Sequence, residues 1–299
     1  SILIRKIENY PSLKRFSKYI SIPAEDLMEA FEVEKDFHQK ILAANSKAER
    51  IKLYNNLYST VHPIYQRNNR GAHHNGEMFS RKALLFEKEL KGKSVLDVGC
   101  GQGAFLKTLV KRNHGFKLCG LDVSLPSPEE MKQYPQIEFI AADITEFQVA
   151  SKYDVVYSNH VLEHMAPADV NSHLSSIKDA LNDKGTLIIN MPNRLFGPSD
   201  VTRIIDFSYT NKIAAQGSHF SEMTYHELVA LLKQYGFTKF RTVLPHTKLR
   251  YLLPSFRMSP SLLCKAEQSK SVMNLLHSLK FRGTCIAKLE ITLICQKGA

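Results

Sequence analysis

The sequence predicts an α/β fold: a mostly parallel β-sheet flanked by helices, with an N-terminal helical cap over residues 1–80. Residues 81–299 then form one domain that carries a helical insertion at residues 246–284. Three observations support this fold. Short apolar runs alternate with helical patterns between residues 93 and 245, which is typical of βαβ units. A turn with three glycines follows the first apolar run, and residues 1–80 show helical periodicity without strand patterns.

Length and composition limit the class of protein. The 299 residues allow one large or two small domains, and no apolar run reaches membrane-spanning length. The first residues lack the features of a signal peptide, and the five cysteines are scattered without a C-x-x-C pair. We therefore expect a cytoplasmic protein with reduced thiols and no zinc ribbon. The net charge of +11 favours an anionic partner such as RNA, a nucleotide or an acidic lipid surface, although a solvated basic surface explains it equally well.

The glycine turn lies in the run KSVLDVGCGQGAF at residues 93–105. The first half of this run is apolar and β-branched and predicts a buried strand, and a helix pattern opens at Ala104. A strand, a glycine turn and a helix N-terminus together form a ligand-binding corner. Glycine is needed in such a turn because a side chain would hold the backbone away from the ligand. The three glycines are Gly99, Gly101 and Gly103.

The acids around this corner indicate the kind of ligand. The spacing differs from the dinucleotide-binding G-x-G-x-x-G. Asp97 stands two positions before Gly99, where a carboxylate would repel a pyrophosphate but suits an ammonium group. Asp122 ends the second predicted strand, at a position where a carboxylate can accept hydrogen bonds from both ribose hydroxyls. Asp143 follows the third predicted strand.

The run from Asp97 to Gly103 resembles motif I of the class I S-adenosylmethionine (SAM) methyltransferases. This resemblance implies a Rossmann-like methyltransferase sheet, parallel with one antiparallel edge hairpin strand. It also implies SAM as the cofactor and S-adenosylhomocysteine as the product. By the same resemblance, Asp143 would accept a hydrogen bond from the adenine amino group, and the Ile144 N–H would donate to the ring. The predicted cofactor-binding residues are Asp97, Gly99, Cys100, Gly101, Gly103, Asp122, Val123, Asp143, Ile144 and Asn159.

The remaining elements follow from periodicity and turn residues. The N-terminal cap is predicted to hold a helix after Pro23 with an apolar stripe that ends at Leu42, and a second helix at residues 47–57. The polar stretch 67–77 predicts a loop, in which His73 and His74 are candidate ligands or solvated side chains. Further predicted elements are a helix at residues 80–91, a strand at 153–158, a helix at 168–181 stopped by Gly185, a strand at 186–191, a helix from Thr224, and strands at 237–244 and 286–295.

Methyl transfer to an oxygen requires a base or a metal, because the nucleophile must lose its proton or have its charge stabilised. Candidates should follow strands four and five, where the methyl group of the cofactor would point. His219 is a candidate general base or substrate orienter, and His160 is a second candidate catalytic residue that could instead pack beside the methionine part of the cofactor. The residues that follow these strands, or enter over the same cleft, are Asn159, His160, Glu163, His164, Asn193, His219 and Glu222.

Two segments resemble the small-RNA 3′-end 2′-O-methyltransferases, which carry E-x-x-E-H after strand four and H-x-x-E-x-T before the next helix. This chain has HVLEH at residues 160–164 and HFSEMT at residues 219–224. The resemblance implies a divalent metal held by Glu163, His164 and His219. His160 replaces the first glutamate of the pattern, which makes the site less suited to Mg²⁺. The alternative is that these histidines only line the cleft, or that His164 caps the following helix.

The two segments do not identify the acceptor. Ubiquinone-biosynthesis O-methyltransferases have a similar L-E-H segment, and H-x-x-E-x-T is widespread in bacterial small-molecule methyltransferases. The chain has no N/D-P-P-Y/F run and no Pro-Cys nucleophile after strand four, which disfavours methylation of the amino groups of adenine and glutamine and of cytosine C5. We therefore expect SAM-dependent O-methylation of a small molecule. The alternatives are RNA ribose 2′-O-methylation and a non-catalytic SAM-binding module that serves a partner protein.

The insertion at residues 246–284 is strongly basic and interleaved with apolar residues. We interpret it as a substrate lid; a dimer face and a membrane-surface helix are the alternatives. The insertion could contact an anionic partner or mediate dimerisation. The aromatic residues near the cleft could frame a substrate pocket, although core packing is the ordinary role of such aromatics. The basic residues are Lys248, Arg250, Arg257, Lys265, Lys270, Lys280 and Arg282, against the single acid Glu267, and the aromatic candidates are Tyr157, Tyr209, Phe220 and Tyr225.

Overall fold

The computed structural model describes residues 9–67, 75–246 and 248–298. The candidate ligands His73 and His74 lie outside these residues. None of the helices in the described part combines the length and apolar content needed to span a bilayer. The helices are α1 (Leu13–Ile20), α2 (Ala24–Ala43), α3 (Lys47–Gln66), α4 (Asn75–Leu85), α5 (Glu87–Leu90), α6 (Ala104–Lys111), α7 (Pro128–Gln133), α8 (Pro167–Ala180), α9 (Tyr225–Gln234), α10 (Leu249–Leu252), α11 (Ser261–Gln268) and α12 (Lys270–Ser278).

Seven strands form the main sheet, in the order β3-β2-β1-β4-β5-β9-β6. The pairs from β3 to β5 are parallel, and β9 is antiparallel to both of its neighbours. The predicted α/β, Rossmann-like methyltransferase sheet is thereby confirmed. The antiparallel strand lies one strand in from the edge, which β6 occupies. The strands are β1 (Lys93–Val98), β2 (Gly115–Asp122), β3 (Ile137–Ala141), β4 (Tyr153–Asn159), β5 (Leu181–Met191), β6 (Phe237–Arg241) and β9 (Ile291–Lys297), with a separate hairpin of β7 (Lys280–Phe281) and β8 (Thr284–Cys285).

The sheet is covered on both faces, which explains its continuous apolar strands. Five consecutive residues of β1 are buried, and alternate side chains enter different apolar clusters. Val95 packs with residues of α4, α5 and α6, whereas Leu96 and Val98 share a cluster with the N-terminal cap, α8 and α9. Because strand order reverses between β1 and β4, a crevice opens at the carboxyl ends of these two strands.

Several predicted boundaries in the sheet are wrong. The helix expected at residues 168–181 spans Pro167–Ala180, but it ends where the buried Leu181 pairs with Tyr153 at the start of β5, and Gly185 does not stop it. The last strand begins at Ile291 instead of residue 286, since its partner β5 ends at Met191, opposite Ile291. The sixth strand stops at Arg241, three residues early, and the next residue forms an isolated bridge with the insertion.

The second predicted helix of the N-terminal cap is longer than expected, and the cap is joined to α8 by a buried ion pair. Helix α3 continues to Gln66, nine residues past its predicted end, and α4 begins at Asn75 inside the predicted loop. Leu42 was expected in the buried stripe of α2 but is 51% exposed. Arg50 of α3 forms a two-pronged ion pair with the buried Asp169, at 2.6 and 2.8 Å. This pair joins the cap to the start of α8, so the cap and the sheet share one core.

The insertion is helical, as predicted, and closes with the β7–β8 hairpin. Two of its basic side chains are buried and paired within the protein instead of being exposed to solvent. Arg257 forms an ion pair with Glu89 at 2.7 Å, and Arg250 donates hydrogen bonds to Thr292 and to the Leu244 carbonyl. Several apolar residues of the insertion remain exposed, among them Leu252, Leu262 and Leu275. The lid, dimer-face and membrane-surface interpretations of the insertion stay predictions.

The single acid of the insertion, Glu267, attaches α11 to the segment after β5 and to the start of α9. Its carboxylate accepts hydrogen bonds from Asn193 Nδ2 (2.6 Å), Tyr225 N (2.8 Å) and His226 N (3.0 Å). The two backbone donors belong to the first turn of α9, where a carboxylate also interacts favourably with the helix dipole.

We predict that Glu267→Ala destabilises the protein because these three donors lose their acceptor. Hydrogen bonds to a charged group contribute about 1.5–3 kcal/mol each and do not add fully, so we expect the free energy of unfolding to fall by about 2–4 kcal/mol. Urea denaturation of the variant and of Asp183→Ala, which alters an exposed acid, measures the difference. A loss equal to that of Asp183→Ala would contradict this role of Glu267.

Candidate active site

The three predicted cofactor-binding acids end adjacent strands. Asp97 lies in β1 opposite Gly120 of β2, and Asp122 ends β2 opposite Ala141 of β3, two residues before Asp143. The Asp122 carboxylate accepts from Gly101 N at 2.8 Å and from Ser124 N at 3.0 Å. It therefore fixes the glycine turn against the end of β2. This arrangement is the one predicted for a nucleoside bound across the carboxyl ends of the strands.

The glycine turn requires its glycines for space as well as for conformation. Gly99, Gly101 and Gly103 all have positive φ. A Cβ at Gly99 would lie 2.5 Å from Val161 Cγ2, and one at Gly103 would lie 2.7 Å from Phe139 Cζ. The turn is thus packed against the third strand and against the segment that follows β4, while Gly101 faces open space.

Asp97 is a buried acid whose carboxylate accepts no hydrogen bond from the described part of the chain. It is 3% exposed, and among the described residues it forms no hydrogen bond or ion pair. Burial, with the nearby Asp122 adding to it, raises the pKa of Asp97 to about 8, although Lys82 acts in the opposite direction. A carboxylate in this condition is stabilised by a ligand that brings a positive charge.

A cavity of about 450 Å³ is lined by Asp143, whereas Asp97 and Asp122 are not among its lining residues. Of the predicted cofactor residues, Val123, Asp143 and Ile144 line it. The cap helix α3 contributes the opposite wall through Tyr54 and Tyr58, which the sequence analysis did not identify. Asp143 is held in place by its bonds to Thr145 N (2.8 Å) and Thr145 Oγ1 (2.9 Å). The cavity therefore lies between the helical cap and the tips of β2 and β3.

Asn159, the last predicted cofactor residue, binds a lysine from the helix before the sheet. Its Oδ1 accepts a hydrogen bond from Lys82 Nζ at 2.5 Å. Burial lowers the pKa of Lys82, while the nearby acids Glu290 and Asp97 raise it. Lys82 thus places a cation beside the tip of β4, a contact that its position in the sequence did not indicate.

The Glu163–His164 segment and the His219–Glu222 segment are brought together by the backbone. The carbonyl of Glu163 accepts hydrogen bonds from Phe220 N (2.7 Å) and Ser221 N (3.1 Å). His164 Nδ1 donates to the Ser218 carbonyl at 3.0 Å. The rings of His164 and His219 lie nearly perpendicular, 4.7 Å apart. Two segments that are remote in sequence therefore meet at one point, as predicted from their residue types.

The contacts of this cluster leave three potential ligand atoms free. Ligand atoms of Glu163, His164 and His219 lie within 4.8 Å of one another. His219 Nδ1 is bound by Glu222 Oε1 at 2.6 Å, and His164 Nδ1 is bound by a carbonyl, so the Nε2 atom of each ring is available. Glu163 Oε2 is buried and has no hydrogen-bond partner among the described residues, whereas Oε1 binds His160 Nδ1 at 2.9 Å. Histidines anchored through Nδ1 beside an unpartnered carboxylate oxygen fit a divalent metal.

The electrostatics keep the carboxylate of this cluster ionised. Burial disfavours the charged form of Glu163, but the hydrogen bond from His160 and the nearby histidines outweigh it and lower its pKa to about 2. Burial, aided by His219, lowers the pKa of His164 to about 4. Burial also opposes a charge on His219, yet the bond to Glu222 and the charges of Asp200 and Glu163 raise its pKa to about 9. His164 is consequently neutral at pH 7 and its Nε2 carries a lone pair, whereas His219 is protonated at pH 7 and would have to release the proton on Nε2 to bind a metal.

The loop before His219 is supported by two buried acids that the sequence analysis did not identify. Glu34 of α2 accepts from Ser218 N at 2.7 Å, and Asp200 accepts from Gly217 N at 2.8 Å. A Cβ at Gly217 would lie 2.6 Å from Glu34 Oε2 and 2.7 Å from Asp200 Oδ2, so glycine is required there. The N-terminal cap therefore helps to position His219.

A second cavity, of about 360 Å³, opens at this cluster. His164 borders both this cavity and the larger one, so the two lie side by side. Asn193 lines it, but its side chain is bound to Glu267. Of the aromatic candidates, Tyr157 stacks on Phe105 at 4.0 Å in the core. The charged and imidazole side chains around the second cavity are His160, Glu163, His164, Arg203, His219, Lys288 and Glu290.

Comparison with known proteins agrees with this geometry. A model of a methyltransferase domain matches residues 67–241, which is more than half of the chain. Trans-aconitate 2-methyltransferase of Rhodopseudomonas palustris strain BisB5 is 28% identical over 123 residues, covering 41% of this chain and 47% of that protein. Malonyl-[acyl-carrier protein] O-methyltransferase 1 of Ilyobacter polytropus is 34% identical over 86 residues, covering 27% of this chain and 32% of that protein. The chain thus spans less than half the length of these two curated relatives.

One solved structure is similar over most of the chain. It is the 1,6-didemethyltoxoflavin-N1-methyltransferase of Burkholderia thailandensis, bound to 1,6-didemethyltoxoflavin and S-adenosylhomocysteine. The two chains superpose with a TM-score of 0.53 and 16% identity, over 86% of this chain and 92% of that chain. At this identity the likeness concerns the fold alone. The sheet and the acidic corner define a Rossmann-like methyltransferase fold.

The chain belongs to the methyltransferase domain family. The resemblance to class I SAM-dependent methyltransferases, inferred from the run around Asp97 and Gly99, is thereby confirmed.

Proposed function

We propose that the protein binds SAM in the larger cavity and transfers its methyl group to an oxygen of a small molecule held in the second cavity. The observation that carries this proposal is the cluster of Glu163, His164 and His219 at the junction of the two cavities. Asp97 would bind the ammonium group of SAM, Asp122 the ribose, and Asp143 with Ile144 the adenine. The relatives support a small acceptor, since their names specify trans-aconitate and a malonyl group, and one is named an O-methyltransferase.

The chemistry at the acceptor oxygen follows from the free atoms of the cluster. Glu163 Oε2 and the Nε2 atoms of His164 and His219 would hold a divalent metal, which when bound would polarise the acceptor oxygen and lower the pKa of its proton. Glu163 Oε1 accepts a hydrogen bond from His160 Nδ1, so Nε2 of His160, a residue that lines the cavity, would be the proton acceptor; this atom lies 3.9 Å from Glu290 Oε1. Glu222 orients His219 through Nδ1. The role of the protein is mainly to align the oxygen with the methyl group of SAM.

The proposal is tested by incubating the protein with SAM and a panel of hydroxy acids, carboxylic acids, phenols and amines, and by measuring S-adenosylhomocysteine. We expect turnover with at least one oxygen acceptor, and NMR of the product should place the new methyl group on oxygen. His160→Gln should lower kcat by about 10²–10⁴-fold, the usual contribution of a general base. Methylation of amines alone would overturn the assignment to oxygen, and unchanged kcat in His160→Gln would overturn the role of His160.

RNA ribose 2′-O-methylation is the second candidate. The net charge of +11 and the two Glu/His segments support it. Oligonucleotides with a free 3′-terminal ribose should then be methylated, and their affinity should fall steeply with salt. Binding that does not change between 50 and 200 mM salt, a range over which phosphate contacts lose about 10³–10⁵ in affinity, would count against RNA. A non-catalytic module, the third candidate, would bind SAM and yield no S-adenosylhomocysteine with any acceptor or cell-extract fraction.

A further inference from the structure

Two cations on the wall of the second cavity have no acidic partner. Arg203 and Lys288 both line this cavity, beside Glu163 and His219. Neither forms an ion pair with a described residue, in contrast to Arg250, whose Nη1 lies 3.7 Å from Glu290 Oε2. Both side chains are partly buried. Partly buried charges are ordinarily paired, so two unpaired cations in one cavity require an explanation.

The Arg203 side chain is held in one orientation without using the donors of its fork. Nε donates to the Pro198 carbonyl at 2.7 Å. The guanidinium carbon lies 5.0 Å from the centre of the Tyr209 ring and 5.5 Å from that of Phe207. These contacts fix the plane of the guanidinium group, and Nη1 and Nη2 have no protein acceptor among the described residues. Arg203 is thus pre-organised to bind an external carboxylate or phosphate through two N–H groups.

Lys288 reinforces the same site. Its Nζ lies 4.8 Å from the centre of the Tyr209 ring that also contacts Arg203. Burial lowers the pKa of Lys288, and the charge of Arg203 lowers it further, although Glu290 acts in the opposite direction. Two like charges on one aromatic ring repel each other in a medium of reduced dielectric constant. An anion between or beside them would relieve that repulsion and stabilise both charges.

We propose that Arg203 and Lys288 bind an acidic group, a carboxylate or a phosphate, of the methyl acceptor. This proposal rests on the proposed function, because it takes the second cavity as the acceptor site. Arg203 supplies geometric selection through its planar fork, and Lys288 supplies a point charge. The acidic group would be held by these two cations in the cavity that His160, Glu163 and His219 also line, where the reacting oxygen would bind.

The test measures binding of three probes to the protein saturated with S-adenosylhomocysteine, by titration calorimetry. The probes are tricarballylate, glycerol 3-phosphate and neutral glycerol; the first two separate carboxylate from phosphate recognition. We expect one of the two anions to bind at least tenfold more tightly than glycerol. Arg203→Met and Lys288→Met should each weaken that binding at least tenfold, with an unchanged Kd for S-adenosylhomocysteine. Lys132→Met, which alters an exposed lysine on α7, is the matched control.

Each remaining outcome overturns the proposal. If neither anion binds more tightly than glycerol, the cavity has no anion site. If the variants bind the anion as tightly as the wild type does, other residues bind it. A parallel loss of S-adenosylhomocysteine binding assigns the two cations to the cofactor instead. If Arg203→Met does not fold, Arg203→Lys replaces it and should still weaken binding, because a lysine lacks the two-pronged fork. Lack of methyl transfer to any acceptor would contradict the proposed function while leaving the calorimetric result intact, so the two failures are distinguishable.

Discussion

Glu163→Gln is expected to weaken strongly the divalent metal binding proposed for the cluster of Glu163, His164 and His219. The substitution keeps the shape of the side chain but replaces the unpartnered, buried Oε2 of an ionised carboxylate with a neutral group. Loss of an outer contact to a metal ligand ordinarily weakens metal affinity by about 10–100-fold, so removal of a ligand itself should weaken it by about 100-fold or more. Calorimetric titration of the chelator-treated protein with Mn²⁺ and Zn²⁺ measures this affinity independently of activity.

A graded series of variants makes this prediction specific. Glu222→Gln leaves the three ligands in place but weakens the acceptor that holds His219 Nδ1, so we expect an intermediate loss of about 10–100-fold. Glu129→Gln alters an exposed acid and His226→Gln an exposed histidine, and both should bind metal like the wild type. A wild-type chain that takes up no more Mn²⁺ or Zn²⁺ than Glu163→Gln would contradict the metal proposal. The proposed role of His160 would then rest only on its hydrogen bond to Glu163.

The cofactor corner could be predicted because its determinants are local in sequence. Asp97 and the glycines at positions 99–103 lie on one strand and one turn, and the positive φ of these glycines follows from the turn itself. Asp122 and Asp143 were predictable for a second reason: parallel strands bring their carboxyl ends to one edge of the sheet. The opposite wall was not predictable, because Tyr54 and Tyr58 reach the cavity from a helix more than 60 residues before Asp122.

The second cavity was predicted only in part. The residue types at 160–164 and 219–224 indicated a Glu/His cluster, and the structure brings them together. The buried supports of that cluster were missed, since Glu34 and Asp200 act through backbone N–H groups of the loop before His219 and leave no motif. Arg203 and Lys288 were missed for a related reason. Their significance lies in a shared contact with Tyr209, and each alone is an ordinary basic residue in the sequence.

The errors in strand boundaries have a common physical cause. Alternation of apolar residues continues from residue 286, yet a strand exists only where a neighbour supplies backbone partners, and β5 ends opposite Ile291. The residues before Ile291 instead turn toward the site: Lys288 and Glu290 line the second cavity, and the Glu290 carbonyl accepts from Tyr225 OH at 2.8 Å. The predicted strand is therefore absent at Lys288 and Glu290, two residues that line the second cavity.

Asp97→Asn is expected to reduce the affinity for SAM and S-adenosylhomocysteine more than any other single change at the proposed cofactor site. Truncating one partner of a buried charge pair costs about 2–5 kcal/mol or more, which corresponds to a roughly 30- to 4,000-fold increase in Kd. Asp97 has no described protein partner, so its charge is stabilised mainly by what the ligand brings. Asp183→Asn, an exposed acid, is the control. Equal affinities in the variant and the wild type would remove Asp97 from the cofactor site.

The raised pKa of Asp97 gives this prediction a proton signature. In the free protein its pKa is about 8, so the group is largely protonated at pH 7, and an ammonium ligand ionises it. Binding at pH 7 should release roughly one proton, measurable as a dependence of the calorimetric heat on the ionisation enthalpy of the buffer, and Asp97→Asn should release none. Because the folded pKa lies above that of the unfolded chain, the unliganded wild type should lose stability as pH rises from about 4 toward 8. Asp97→Asn should lack this loss; an identical pH dependence of unfolding in both proteins would show that Asp97 is ionised without a ligand.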